Sequence, residues 1–224
     1  LMPMVDRLLA AWRRHAGTSS ASNIDLSKAI RGVELHRKTF ADTREALMNR
    51  LKQEGFSVKE ASELASQWLV QGDFLLEPQE ALFDYVVGNP PYVRQELIPA
   101  PLLREYRRRY QTVYDRADLY IPFIERSLAL LNNKGVLGFI CADRWMKNRY
   151  GRPLRSYIAR DFHLKAFIDM VDTKAFHSEV STYPAITLVT RSKAGATRVA
   201  YRPKIEKEQL ASLAADINSP TLPK

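Results

Sequence analysis

Short, almost wholly apolar runs separated by stretches of helical length set the tightest limit on what this chain can fold into. Phe83-Asp84-Tyr85-Val86-Val87-Gly88, Val136-Leu137-Gly138-Phe139-Ile140-Cys141, Lys165 to Val171 and Ala185 to Thr190 all read as strands. Ile30 to Leu35 reads as another, and Trp68-Leu69-Val70 with Phe74-Leu75-Leu76, around Gln71-Gly72-Asp73, is strand-like. Helical patterns fill the gaps at 37–53, 57–67, 101–114, 118–131 and 147–160, with Phe40, Leu47 and Leu51 facing inward from the first. Ser57 and Glu60 have the spacing of a capping box. Residues 1–16 carry Val5, Leu8, Leu9 and Trp12 at helical spacing. Strands that are apolar on both sides of the pleat belong in a sheet covered on both faces, and their alternation with helices makes that sheet mostly parallel. The fold class is therefore α/β.

Composition narrows the function classes. With 224 residues, 46% of them hydrophobic, the chain can bury one real core. No apolar run approaches the ~20 residues needed to cross a bilayer, so no membrane partner is expected. Cys141 is the single cysteine, so no internal disulfide can form and a reducing, cytoplasmic home is expected. The histidines, at 15, 36, 163 and 177, lack metal-ligand spacing, and no metal is expected. Lys and Arg number 34 against 25 Asp and Glu, a net charge of +9 that favours a polyanion.

The chemistry is concentrated in Asn89-Pro90-Pro91-Tyr92, directly after a strand. Ligands of open parallel sheets bind beyond the carboxyl ends of strands. Proline fixes its own φ and drives the preceding residue out of the helical region, so Asn89 and Pro90 are held extended with their acceptors fixed in direction. Two acceptors aimed at the two protons of an exocyclic amine would favour a pyramidal, nucleophilic nitrogen, and the Asn89 side-chain oxygen and the Pro90 carbonyl can serve. Tyr92 can stack on an extruded base. Glu34 ends one strand, where a carboxylate commonly accepts from ribose hydroxyls. Asp73 could accept from an adenine amine with Phe74 beside the ring, or it could simply make an Asx turn. Arg104, Arg107, Arg108, Arg109 and Arg116 alternate with Tyr106, Tyr110 and Tyr114. These arginines suit a nucleic-acid backbone, or else an amphipathic helix with its tyrosines packed down.

The order Gly32-Val33-Glu34-Leu35, Gly72-Asp73-Phe74-Leu75, then Phe83 to Arg94 resembles the gamma-class DNA adenine-N6 methyltransferases of combined restriction-modification enzymes. The resemblance covers about residues 5–192. It implies a Rossmann-like S-adenosylmethionine-dependent methyltransferase sheet with an antiparallel last strand. It implies Asn89, Pro90 and Tyr92 at the target adenine, with Phe176 as a second aromatic against that base. It implies S-adenosylmethionine held by Glu34, Asp73, Phe74, Asn89 and Phe123, the last in Asp118-Leu119-Tyr120-Ile121-Pro122-Phe123. The partner is then double-stranded DNA, its backbone met by Arg94, Arg104, Arg107 and Arg108, and the target base must be flipped out to be reached. The family's first strand and glycine loop are expected upstream of Leu1, and a target-recognition or nuclease domain downstream. Residues 1–204 read as the catalytic core and 205–224 as a linker. Such a fragment alone is expected to bind cofactor weakly and to be inactive. Two alternatives remain: methylation of a protein glutamine or RNA base amine, and a non-catalytic DNA-binding fragment.

Overall fold

In the computed structural model, residues 1–16, 25–78, 81–173, 184–219 and 221 are described. The chain forms two compact units, Leu1–Pro78 and Gln79–Lys224.

The first unit contains α1 (Met2–Ala16), β1 (Gly32–Glu34), α2 (Arg37–Gln53), α3 (Val58–Trp68) and β2 (Leu69–Gln71). Val5 and Leu9 of α1, Leu47 and Leu51 of α2, and Ala61, Ala65 and Trp68 of α3 are buried together, with Leu8, Trp12 and Phe40 packed against them. The buried Trp68 indole satisfies its one donor on the Leu26 carbonyl at 2.7 Å. The capping box forms as the spacing predicts: Ser57 Oγ accepts from the Glu60 N–H at 3.2 Å and Glu60 Oε2 from the Ser57 N–H at 2.8 Å. β1 and β2 pair in parallel, Glu34 opposite Gln71. Phe74-Leu75-Leu76 is a turn and not a strand. Asp73 Oδ1 takes the Leu75 N–H at 2.8 Å, and the Asp73 carbonyl takes those of Leu76 and Glu77, so the backbone groups a ladder would need are already satisfied locally.

The second unit runs β3 (Phe83–Gly88), α4 (Ala100–Arg109), α5 (Tyr120–Ala129), β4 (Leu131–Ala142), α6 (Arg144–Lys147), α7 (Arg152–Asp161), β5 (His163–Asp169), β6 (Pro184–Thr190), β7 (Arg198–Tyr201) and α8 (Lys207–Asn218). The strands form one sheet in the order β3-β4-β6-β5-β7. β3 is parallel to β4 and β5 to β7, while β6 runs antiparallel to both its neighbours. The sheet is thus mixed and mostly parallel. The antiparallel strand is the run from Ala185 to Thr190, but it is not the last: the short β7 follows and joins the far edge.

Side chains alternate faces along a strand, and β6 shows this clearly. Val189 packs with Tyr120, Ile121, Ile124 and Leu128 of α5 and Leu154 and Ile158 of α7, while Ile186 and Leu188 pack with Ile217 and Leu213 of α8. The middle of the sheet is therefore covered on both faces, whereas at the edge strand β3 Tyr85 and Val87 remain exposed, contrary to the expectation from its apolar run. Within 205–224, α8 places Ile217 in a buried cluster with Ala166, Ile168 and Met170, and Asn218 Oδ1 accepts from Lys165 Nζ at 2.7 Å.

α4 ends at Arg109, earlier than the pattern suggests. The Glu125 carboxylate, only 8% exposed, accepts the N–H groups of Gln111 at 3.2 Å and Thr112 at 2.9 Å, which diverts the chain away from α4. Tyr106 and Tyr110 are buried, but Tyr114 lies beyond the helix and is exposed, so the three tyrosines do not share one helix face. Among the described residues, no helix is long and apolar enough to cross a membrane.

Two outcomes test this packing. Glu125→Ala leaves two backbone donors without their charged acceptor and is expected to cost about 3 kcal/mol of unfolding free energy in urea titration, with Glu125→Gln costing about half as much. Gly151 lies so close to the α6 backbone that a Cβ there would fall 1.8 Å from the Trp145 carbonyl oxygen. Gly151→Ala is therefore expected to lower stability by about 2 kcal/mol in the same measurement.

Candidate active site

In the second unit, β3 delivers the chain to Asn89 at the carboxyl end of the parallel pair β3/β4, where Gly88 stands opposite Phe139. A Cβ on Gly88 would come within 3.3 Å of the Phe139 ring, so the glycine permits the close strand pairing that sets where the corner begins. Pro90 is buried and Pro91 half-buried, whereas Asn89 is exposed. Among the described residues the Asn89 side chain has no hydrogen-bond partner.

The corner is fixed at its far end. Tyr92 donates its hydroxyl to the Ile140 carbonyl of β4 at 3.3 Å, and its ring lies 6.4 Å from that of Tyr120 at 45°. The Leu119 N–H donates to the Val93 carbonyl at 2.8 Å, tying the segment to the start of α5. The Tyr120 hydroxyl in turn meets that of Tyr150 at 3.1 Å. Burial pushes the Tyr92 phenol up to about 12, with a smaller contribution from Cys141, so it is a neutral donor at any working pH. One part of the Tyr92 ring remains open, since the residue is 40% exposed. Phe123, on α5, is half-buried and packs against the core of the sheet.

In the first unit, Glu34 and Asp73 stand at the carboxyl ends of the paired strands β1 and β2. The Gly72 N–H donates to the Glu34 carbonyl at 3.0 Å, which brings the two strand ends together. Each carboxylate also braces its own turn: Glu34 Oε1 accepts from the His36 N–H at 2.8 Å and Asp73 Oδ1 from that of Leu75 at 2.8 Å. The Asx turn weighed as an alternative for Asp73 is therefore present. Glu34, Asp73 and Phe74 are all half-buried. Phe176 lies outside the described residues.

The arginines separate into two groups. On α4, Arg108 pairs with Glu105 at 2.8 Å, Arg109 with the same carboxylate at 2.6 Å, and Arg107 donates to Gln95 at 3.1 Å. Hydrogen bonds from Arg108 and Arg109 hold the Glu105 carboxyl at about 2. Arg94, by contrast, lines a cleft of about 540 Å³ with Arg116, Arg144, Arg149, Asp118 and Tyr150. Arg144, Arg149 and Tyr150 escaped the sequence reading. The available signal was position: they follow the carboxyl end of β4, the same end that marked Asn89 on β3.

The Eco57I restriction-modification methylase family matches residues 17–176. The chain is 62% identical over 224 residues to the Type II methyltransferase M.PaeR7I of Pseudomonas aeruginosa, covering all of this chain and 39% of that protein. The chain thus spans about two fifths of the length of this relative. In three dimensions it is similar to a class I S-adenosylmethionine-dependent methyltransferase from Listeria monocytogenes, with a TM-score of 0.56 and 14% identity over 80% of this chain and 61% of that one. It is also similar to a nuclease-deletion mutant of the Type ISP restriction-modification enzyme LlaGI bound to a DNA substrate mimic, with a TM-score of 0.60 and 16% identity over 94% of this chain and 25% of that one. These structural likenesses establish the α/β methyltransferase fold. With its strand order, its asparagine–proline corner and this match in sequence, the chain belongs to the Eco57I restriction-modification methylase family.

Proposed function

We propose that this chain is the catalytic part of an S-adenosylmethionine-dependent DNA methyltransferase that modifies the N6 amine of an adenine flipped out of the duplex. Asn89 carries the reading: an exposed amide with no hydrogen-bond partner among the described residues, set by a stiff proline corner at the carboxyl end of the parallel strand β3. Ligands of such sheets bind beyond the carboxyl ends of strands, so a polar side chain held there by a restricted backbone is placed for a ligand rather than for packing.

The residues of the first unit suit the cofactor's chemistry. Two carboxylates at the ends of paired parallel strands match a ribose diol and an adenine amine, each of which offers hydrogen-bond donors, and Phe74 offers a ring surface. Glu34 would take the ribose, and Asp73 and Phe74 the adenine. Bound there, S-adenosylmethionine supplies an electrophilic methyl group on sulfur.

The work of the chain's own residues is to orient the acceptor. Asn89 Oδ1 and the Pro90 carbonyl each accept a hydrogen bond from the amine, which draws the nitrogen lone pair out of conjugation with the ring; the nitrogen sheds its one excess proton to solvent after the methyl group has been transferred. Because the corner is already rigid, little reorganisation accompanies the reaction. The open part of the Tyr92 ring stacks on the base, worth about 1–3 kcal/mol, while its hydroxyl stays anchored on Ile140. Duplex DNA is the substrate in this reading. Restriction-modification membership supports it over an RNA or protein acceptor.

In the whole protein, Asn89→Ala is expected to lower single-turnover methyl transfer to DNA at least ~100-fold while cofactor affinity by calorimetry stays mostly intact, the other cofactor contacts being in place. Turnover within a few-fold of the parent would remove Asn89 from the mechanism. Parallel assays with RNA and protein acceptors should give no transfer. Tyr92→Phe keeps the ring but loses the anchor on Ile140, and is expected to slow transfer by a few-fold to about tenfold, the loss of one hydrogen bond. Tyr92→Ala should weaken extrusion by about 1–3 kcal/mol, read as reduced 2-aminopurine fluorescence at the target position. Equal signals from the two variants would rule out stacking.

A further inference from the structure

Arg94, Arg116, Arg144 and Arg149 reach one cleft from separate stretches of the second unit. Arg94 follows the asparagine–proline corner by two residues, Arg116 precedes α5, and Arg144 and Arg149 flank α6 just past β4. Arg94, Arg116 and Arg149 are exposed and Arg144 is half-buried. Among the described residues none of the four is in an ion pair within 4.0 Å, although Glu96, Asp115 and Asp118 share the lining. On α4, by contrast, Arg108 and Arg109 share the Glu105 carboxylate.

The part of the cleft that bears Arg144 and Arg149 is built to be stiff. Arg155 donates to the carbonyls of Trp145 at 2.6 Å and Asn148 at 2.9 Å, and Tyr150 is held on Tyr120. Gly151 allows the backbone to close onto α6. A braced backbone removes the loop's own share of the ordering cost on binding, and the planar arginine head offers paired donors that suit phosphate oxygens.

We propose that this cleft grips the phosphodiester backbone of the strand that carries the extruded base, with Arg94, Arg116, Arg144 and Arg149 as positioning residues. The inference rests on the methyltransferase reading above. A flipped base stays covalently attached to its strand, so the phosphates on either side of it must pass near the corner that holds it. The cleft is continuous in sequence with that corner through Arg94, and is tied to it by the Leu119–Val93 hydrogen bond. The three carboxylates argue against one tightly held anion and for a run of phosphates passing along the arginines. Burial raises the Asp118 carboxyl, and the nearby Arg144 and Arg94 pull it back, as expected for arginines that face this acid without closing on it.

The test compares paired substitutions in the whole protein, by fluorescence anisotropy with a DNA duplex over a range of salt. Arg116→Gln with Arg149→Gln is expected to weaken binding about tenfold and to reduce the slope of log affinity against log salt by about two, close to one for each phosphate left without its arginine. Arg116→Lys with Arg149→Lys keeps the charges and should retain the parent slope, which separates charge from any structural role. Arg107→Ala with Arg108→Ala should change the slope less than the glutamine pair does. The same slope for the glutamine and lysine pairs overturns the proposal, as does tighter binding of an RNA duplex of the same sequence. A parent protein that transfers no methyl group to DNA would sink the enzymatic reading alone, because the salt slopes would still decide the cleft.

Discussion

The corner from Asn89 to Tyr92 is held at both ends, and the placement of every other functional group in the second unit follows from that. Its near end is set by the pairing of β3 with β4, where a side chain on Gly88 would press on the Phe139 ring. Its far end is set by the Tyr92 hydroxyl on the Ile140 carbonyl and by the Val93 carbonyl on the Leu119 N–H. Between these points two prolines remove most of the remaining backbone freedom. The rigidity of the sheet thus passes to the Asn89 amide, a polar side chain that has no hydrogen-bond partner among the described residues.

Positioning by backbone has a chemical consequence. An amide that had to swing into place would lose on binding what it gained by hydrogen bonding. One that is already placed favours the changing geometry of an amine nitrogen over its planar ground state, which is how electrostatic preorganisation lowers a barrier. Glu34 and Asp73 show the same economy in the first unit, since each braces the turn that presents it.

The charge of +9 says little by itself about where a polyanion would lie. In the most basic-looking segment, Arg108 and Arg109 share one carboxylate, Glu105, one helical turn away, so part of its charge is met locally. The four cleft arginines are spread over more than fifty residues of sequence and do not stand out there. Folding gathers them. Distribution after folding, rather than composition, determines the local field.

Much of the architecture was legible in local pattern, because the forces behind it act over a few residues. The capping box needs only Ser57 and Glu60 three positions apart. α2 spans Arg37–Gln53 as its periodicity predicts, and the apolar runs became β3, β5 and β6, the last two burying their side chains in the core while β3 stays at the sheet edge with Tyr85 and Val87 exposed. The asparagine–proline corner was equally readable, since proline restricts the backbone whatever surrounds it. The rest depended on partners distant in the chain or on competition that pattern does not show. Phe74-Leu75-Leu76 looked like a strand until Asp73 captured its backbone. α4 stopped early because Glu125 accepted the next two N–H groups. β7 is four residues of half-exposed alternation, ordered by β5 rather than by its own composition. Sequence alone therefore determined the α/β class and the chemical corner, which arise from torsional limits and burial within single segments. Tertiary structure alone decided which arginines remain unpaired and converge, because that outcome depends on contacts among residues the chain order keeps apart.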